Sequence, residues 1–189
     1  MNTVLKKEIF PPAWIGTTLQ KLAAQVSQFE AKHGPFDIVG IHRRGVVLAQ
    51  RLIPLLDQLN NTAQSKVQKS ERRFGTLDIS LYRDDLGQAF AMPVLRETAI
   101  PFDVQDARIL LVDDVLYTGR TVRSALNALM DLGRPRHIAL LVLIDRGGRE
   151  LPIQADFVGA QYEVPSQSSI EVFLHDVDQA ASEGVFQIG

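Results

Sequence analysis

Cysteine is missing from this chain of 189 residues. Neither a disulfide framework nor a thiolate metal site can therefore form within it. Long apolar runs are missing as well, because no stretch approaches the roughly 20 apolar residues that cross a bilayer. The first residues also lack the apolar core of a secretory signal. We therefore expect a cytoplasmic protein without a membrane partner.

An excess of one charge sign is also lacking. The chain has 20 lysines and arginines against 22 aspartates and glutamates, so its formal net charge is -2. Proteins that bind nucleic acids regardless of sequence are usually strongly basic, since contacts with phosphates supply their affinity. The composition argues against that class, although it is compatible with a local basic patch at a specific site.

The sequence does contain an alternation of apolar runs and helical spacing. Helical patterns run from Pro11-Pro12 to Gly34 and over residues 46–59 and 121–132. Strand patterns cover 36–41, 76–81, 108–112, 138–144, 157–159 and 170–174. Buried strands that alternate with helices favour an α/β fold with a mainly parallel central sheet flanked by helices. The acidic tail from Asp176 is expected to fray or pack weakly.

Polar residues suited to a ligand follow the apolar strand at 109–112. Asp113 and Asp114 come first, and Thr118, Gly119 and Thr121 precede the next helix. Ligands of parallel α/β folds bind beyond the carboxyl ends of the strands. Threonine hydroxyls, loop N–H groups and the positive helix N-terminus suit a phosphate, whereas carboxylates suit a diol or a metal. A phosphate beside a diol describes a ribose phosphate.

The same residues could instead form a capped helix start and an ordinary turn. Rival phosphate motifs are absent from the sequence, which has neither G-x-x-x-x-G-K-[ST] nor G-x-G-x-x-G. The acidic pair also lies past the middle of the chain, whereas the acids of a receiver domain come from near its start.

Four segments together resemble a known family. Residues 112–121 resemble the motif that binds phosphoribosyl pyrophosphate (PRPP) in type I phosphoribosyltransferases. With 39–45, 78–86 and 145–153, they make the chain from about Ile15 to Asp178 resemble the PyrR family of bifunctional pyrimidine operon regulators with uracil phosphoribosyltransferase activity. The resemblance implies one domain over 1–189 with the type I phosphoribosyltransferase fold. It also implies a small hood from 1–12 and 145–165 and a flexible lid hairpin at about 82–107.

The resemblance also implies the site residues. Asp113 and Asp114 would meet the ribose hydroxyls, and Arg83 would reach the pyrophosphate from the lid; these three are the predicted catalytic residues. The leaving pyrophosphate would contact a loop that often contains a non-proline cis peptide, formed here by His42, Arg43, Arg44 and Gly45. For His42, the backbone could matter more than the ring. The phosphate loop would be Tyr117, Thr118, Gly119, Arg120 and Thr121, and the base-binding region would include Asp145, Arg146 and Gly147.

The implied reaction transfers the phosphoribosyl group of PRPP to uracil and gives UMP and pyrophosphate. Mg²⁺ would assist it, held by Asp113 and Asp114 directly or through water. Uracil brings its own nucleophilic nitrogen, so no Ser/His/Asp or Cys/His arrangement is needed. UMP and UTP are the further expected ligands, and the resemblance implies a homodimer or tetramer.

Binding of pyrimidine operon leader RNA is the second activity that the resemblance implies. In the family it is thought to use basic residues of the first helix and of the segment after Glu-Leu-Pro. Here the first helix offers Lys21, and the later segment keeps Arg149 but has Gln154 and Ala160 where cations are expected. Because recognition of an RNA loop needs several cations, this departure weakens the RNA hypothesis. Two alternatives stay open: an RNA-binding regulator with weak catalysis, and a phosphoribosyltransferase for another base.

Overall fold

The computed structural model describes residues 6–60, 72–80, 98–178 and 182–189. The helices in these ranges are α1 (Pro12–His33), α2 (Arg44–Asn60) and α3 (Arg120–Leu132). The strands are β1 (Lys6–Phe10), β2 (Asp37–Ile41), β3 (Phe74–Leu77), β4 (Arg108–Leu116), β5 (His137–Asp145), β6 (Phe157–Gln161), β7 (Ser169–Phe173) and β8 (Gly184–Ile188). None of these three helices combines the length and the apolarity that a bilayer span requires.

Five strands form a large sheet in the order β3-β2-β4-β5-β6, and every neighbouring pair in it is parallel. Helix α2 lies between β2 and β3 in the chain, and α3 lies between β4 and β5. The expected α/β fold, with a mainly parallel sheet flanked by helices, is therefore confirmed. Because the strands are parallel, their carboxyl ends lie along one edge of the sheet.

Apolar side chains cover both faces of the large sheet. Leu110 packs with Leu22 of α1 in one buried cluster, and Leu111 packs with Leu129 of α3 in the other. Neighbouring residues enter opposite clusters because successive side chains of a strand point to opposite faces. Burial on both faces explains why β4 and β5 are nearly continuous apolar runs in the sequence.

A second, antiparallel sheet has the order β1-β8-β7. The structure differs here from the expected hood, which combined 1–12 with 145–165. Strand β1 does belong to the second sheet, but its partner, β8, comes from the C-terminal part of the chain. Strand β6 is instead the edge strand of the large sheet, because Phe157 pairs with Leu141 of β5 and is buried there.

The C-terminal tail also differs from the expectation that it packs weakly. Strand β8 is the central strand of the second sheet, and its Val185 is fully buried. The carboxylates around it pair with arginines, since Asp176 and Glu183 both contact Arg51 of α2. The acidic residues therefore precede an apolar strand that completes the core.

Two strand boundaries differ from the sequence prediction and shape the site. Strand β4 continues beyond residue 112, because its pairing with β5 extends to the pair Leu116 and Asp145. Strand β3 covers Phe74–Leu77, so it begins before the predicted strand at 76–81 and does not include 78–80, since its pairing with β2 stops at Leu77; residue 81 lies outside the described residues. The acidic pair is thus held by the sheet itself, and Asp78 lies just beyond a strand end.

The predicted lid at about 82–107 is described only in part. Residues 98–107 belong to the described ranges, and Ala99 pairs antiparallel with Thr76 next to β3. Residues 82–97 lie outside the described residues, so the lid and the single-domain organisation over 1–189 stay predictions.

Candidate active site

A cavity of about 350 Å³ opens at the carboxyl ends of β2, β3 and β4. The described residues that line it are His42, Arg43, Arg44, Asp78, Ile79, Ser80, Asp113, Asp114, Val115 and Thr121. The structure thus brings together both predicted acids, three residues of the predicted pyrophosphate loop and one threonine of the predicted phosphate loop. Such a polar lining suits a charged, hydroxylated ligand better than an apolar one.

The acidic pair lies at the end of β4. Asp113 is buried, and the backbone N–H of Asp114 donates to its carboxylate at 2.9 Å. Burial and the adjacent charge of Asp114 raise the pKa of Asp113 well above its ordinary value. Burial also raises the pKa of Asp114, although the Arg44 guanidinium opposes this. Two like charges in a dry site are costly, so hydroxyl donors or a cation would stabilise the ionised pair.

The loop after β2 contains the predicted pyrophosphate residues. The peptide bond between His42 and Arg43 is cis, as the resemblance implies. Gly45 allows α2 to begin directly against β4, because a Cβ atom there would lie 2.3 Å from the carbonyl oxygen of Val112. A side chain at position 45 would therefore push the start of α2, including Arg44, away from the acidic pair.

The predicted phosphate loop leads from β4 into α3. Gly119 has the left-handed conformation (φ 91°, ψ -4°) at the cap position of α3, which glycine adopts without steric cost, and the N-terminus of the helix carries a partial positive charge. Thr118 accepts a hydrogen bond from the Arg120 N–H at 3.3 Å. The guanidinium of Arg120 itself pairs with Glu150 at 2.7 Å. Backbone N–H groups and threonine hydroxyls are therefore the phosphate donors that this loop offers.

Arg149 connects the segment after β5 to the phosphate loop. Its guanidinium donates to the carbonyl oxygens of Ile153 at 2.9 Å and Tyr117 at 2.8 Å, and also to the carboxylate of Asp145. Burial raises the pKa of Asp145, but the Arg149 hydrogen bond and the N–H of Gly147 outweigh it, so this pKa lies below its ordinary value. One arginine thus fixes the predicted base-binding segment.

Arg146 and Tyr117 form a second connection between the same two segments. The buried guanidinium of Arg146 lies 3.7 Å from the centroid of the Tyr117 ring. The backbone N–H of Gly147 donates to Asp145 at 2.9 Å. The side chains of Tyr117 and Arg146 therefore contact each other and hold the two loops together. The predicted catalytic residue Arg83 lies outside the described residues.

Comparison with known proteins identifies the family of this chain. A sequence model for the family described as "Phosphoribosyl transferase domain" matches residues 13–178. "Bifunctional protein PyrR" of Deinococcus radiodurans is 44% identical over 176 residues, which are 93% of this chain and 92% of that protein. The protein of the same name from Roseiflexus sp. is 44% identical over 181 residues, 96% of this chain and 94% of that one. The chain belongs to the PyrR family of phosphoribosyltransferases.

The fold of this PyrR-family chain also occurs in a solved structure of different sequence. The crystal structure of the hypoxanthine phosphoribosyltransferase of Trypanosoma cruzi aligns with a TM-score of 0.66 at 17% identity, over 96% of this chain and 95% of that one. The likeness confirms the expected type I phosphoribosyltransferase fold.

The residues of the PyrR-family cavity fit Mg²⁺, the metal that the family implies. No group of three or more His, Cys, Asp or Glu side chains in the described ranges is arranged to hold a metal alone. Mg²⁺ in phosphate-transfer sites is typically bound by one or two carboxylates, with substrate phosphates and water as its other ligands. Asp113 and Asp114 match that donor set, and a bound cation would offset the burial that raises the pKa of both carboxyl groups.

Two parts of the site were missed by reasoning from the sequence. Asp78 and Ser80 line the cavity, and the Ser80 hydroxyl donates to the Asp78 carboxylate at 2.6 Å. A signal for them exists, because they follow β3 as the predicted residues follow β2 and β4. Asp178 accepts a hydrogen bond from Arg44 although the two positions are 134 residues apart in the sequence, and no local sequence pattern predicts that contact.

Proposed function

We propose that this PyrR-family chain transfers the phosphoribosyl group of PRPP to uracil, producing UMP and pyrophosphate. The observation that carries the proposal is the convergence of an acidic pair, two arginines and Thr121 around one cavity at the strand ends. PRPP matches these groups because it presents ribose hydroxyls, a phosphate and a pyrophosphate on one molecule. The membership of the PyrR family supports the pyrimidine.

The protein places charged side chains where the reaction develops the opposite charge. Departure of pyrophosphate leaves positive charge on the ribose ring, and Asp113 and Asp114 supply compensating negative charge from a largely dry position. The positive charges of Arg43 and Arg44 stabilise the negative charge that develops on the departing pyrophosphate. Mg²⁺, when bound, neutralises pyrophosphate further. Uracil attacks with its own nitrogen, so the protein orients the base and excludes water.

Selection of uracil is assigned to the segment after β5. Arg149 and Asp145 hold the backbone around Gly147 in a fixed conformation beside the phosphate loop. Backbone N–H and carbonyl groups in such a segment can pair with the polar edge of a pyrimidine. A phosphoribosyltransferase for another base is the alternative within the same chemistry.

The test is a set of reactions with PRPP, Mg²⁺ and single bases, in which pyrophosphate release is followed. Uracil should give the fastest turnover, and cytosine, hypoxanthine and guanine should give little. Turnover with a purine and none with uracil would overturn the assignment of the base while leaving the phosphoribosyltransferase chemistry intact. No pyrophosphate release with any base would contradict the enzyme itself.

RNA regulation is the second candidate, and the name "bifunctional" of its relatives favours it. The first helix and the segment after Glu-Leu-Pro lie side by side, since a Cβ on Gly159 of β6 would lie 2.6 Å from Thr18 of α1. Lys21 is exposed on the first helix, but Gln154 and Ala160 in the later segment add no charge. Arg149 is engaged by Asp145 and by carbonyl oxygens. We therefore place catalysis first.

Gel-shift titrations with pyrimidine operon leader RNA, at low salt and with UMP present, test this second candidate. Binding that weakens steeply with added salt would support it, and no binding under these conditions would remove it. The homodimer or tetramer and the cytoplasmic location stay predictions.

A further inference from the structure

We propose that Asp178 is a positioning residue for PRPP, which acts by holding Arg44 at a fixed place beside the acidic pair. The inference rests on the proposed PRPP site. It starts from the C-terminal segment, where Asp178 follows β7 and reaches back to the loop after β2.

The contact between the two side chains is side-on and paired. Arg44 donates from Nε to one carboxylate oxygen of Asp178 at 3.0 Å and from Nη2 to the other at 3.2 Å. The backbone N–H of Leu174 donates to the same carboxylate at 3.0 Å, which fixes its orientation. Two parallel N–H donors to one carboxylate define both the position and the plane of a guanidinium. Asp178 thereby determines where Arg44 lies.

This geometry leaves the third nitrogen of Arg44 directed at the ligand side. Nη1 lies 3.7 Å from the nearer carboxylate oxygen of Asp114, which is longer than a normal N–H···O hydrogen bond of about 2.7–3.2 Å. Arg44 thus lies beside Asp114, yet it is not hydrogen-bonded to it. Without Asp178, Arg44 could move onto Asp114 and occupy the carboxylate that the ribose requires.

Arg43 is held by the same turn of the chain. Its Nη2 donates to the carbonyl oxygen of Val177 at 2.7 Å and lies 3.4 Å from Asp178. Both arginines of the predicted pyrophosphate loop therefore take their orientation from residues 177 and 178. A neighbouring pair shows the contrast, because Asp176 contacts Arg51 on α2, a residue that is not among those lining the cavity.

The substitution Asp178→Asn tests the role, with Asp176→Asn as the matched control. Asparagine keeps the shape and can still accept from the Leu174 N–H, but it loses the charge and one of the two arginine acceptors. We expect the Kd and KM for PRPP to rise about tenfold, which corresponds to about 1.4 kcal/mol. The KM for uracil should stay near the wild-type value, and the thermal midpoint should fall only slightly, because the ion pair of Asp178 with Arg44 contributes part of the stability. Asp176→Asn should leave PRPP binding unchanged.

PRPP binding is measured by titration calorimetry without a base, so that turnover is not needed. Equal PRPP affinity for the two variants would overturn the inference, and so would a parallel loss of PRPP affinity, uracil affinity and thermal midpoint in Asp178→Asn. Failure of the wild-type protein to bind PRPP would instead overturn the proposed function. If Asp178→Asn does not fold, Asp178→Glu replaces it, because a displaced carboxylate should move Arg44 and weaken PRPP binding at unchanged charge.

Discussion

Two arginine–carboxylate clusters lie at opposite ends of the large sheet. At the amino ends of the strands, Glu30 and Arg72 are paired with exposed side-chain fractions of 0% and 5%. Both also bond to the backbone of Phe36, through its N–H at 2.9 Å and its carbonyl oxygen at 3.0 Å. This cluster joins α1 to the chain before β2 and to the chain before β3. Its charges find their partners inside the protein.

The cluster at the carboxyl ends is built differently. Arg44 is 25% exposed, and it faces Asp114 and Asp178, which are 18% and 10% exposed. Arg43 also contacts Asp178, but two guanidinium groups cannot neutralise these carboxylates together with Asp113, whose pKa burial raises well above its ordinary value. The comparison shows how the same chemistry serves two purposes. A buried pair of opposite charges fixes structure, whereas a partly exposed cluster with excess acid is completed by a ligand.

The largest expected effect comes from breaking the buried pair. Glu30→Ala leaves the Arg72 charge buried without its carboxylate, so the free energy of unfolding should fall by about 3–5 kcal/mol. Urea unfolding followed by fluorescence measures this change. Turnover per folded molecule should be unchanged, and a selective loss of PRPP affinity in this variant would break the comparison.

The next effect concerns the acidic pair. Asp113→Asn removes negative charge that faces the developing positive charge of the ribose, so kcat should fall about 100-fold to 1000-fold. The thermal midpoint should stay the same or rise, because burial of this carboxylate opposes its ionisation. Pyrophosphate release and thermal unfolding are the two measurements. Full activity of the variant would refute the catalytic role of Asp113.

A smaller effect is expected at Arg149. This residue forms a third arginine–carboxylate cluster with Asp145, which extends the comparison. Arg149→Gln loses the bond to Asp145 and most of the bonds to the loop carbonyls. The KM for uracil should rise about tenfold, equivalent to about 1.4 kcal/mol, and more than the KM for PRPP. Arg136→Gln, at an exposed position before β5, is the control. Equal changes in both KM values would argue against a role in base selection.

The smallest effect is the pH dependence of stability. The pKa of Asp113 is raised in the folded state, so the folded chain binds more protons there and stability rises as pH falls through that pKa. The pKa values of Asp178 and Asp145 are lowered by arginine partners that outweigh burial. Their contribution is present above the ordinary carboxyl pKa of about 4 and is lost as pH falls through the lower folded values.

Thermal unfolding of the wild type and of Asp113→Asn, measured from neutral to acid pH, separates the contribution of Asp113 from that of Asp178 and Asp145. The variant should lose most of the rise in stability, except for the part that the raised pKa of Asp114 supplies, and it should keep the loss at acid pH. A rise of the same size in both proteins would assign it to another group.

The sequence determined the large sheet and the position of most of the site. Apolar runs such as 108–112 predict buried strands because both faces of the sheet are covered, and parallel strands place their carboxyl ends at one edge. Asp113, Asp114, Arg44 and Thr121 could therefore be assigned to one site before any coordinates. Local signals sufficed, since each of these residues follows a predicted strand or begins a predicted helix.

The tertiary structure alone decided the contacts that hold the site in place. Asp178 meets Arg44, and Glu30 meets Arg72, across long stretches of chain that carry no mutual pattern. The C-terminal strand β8 was not predicted from the sequence, because acidic residues precede it. The partner of these residues, Arg51, lies on α2. Pairing between distant charges depends on which surfaces the packed core brings together. A periodic sequence pattern cannot predict such pairs, because it indicates only which side of its own helix or strand a residue occupies.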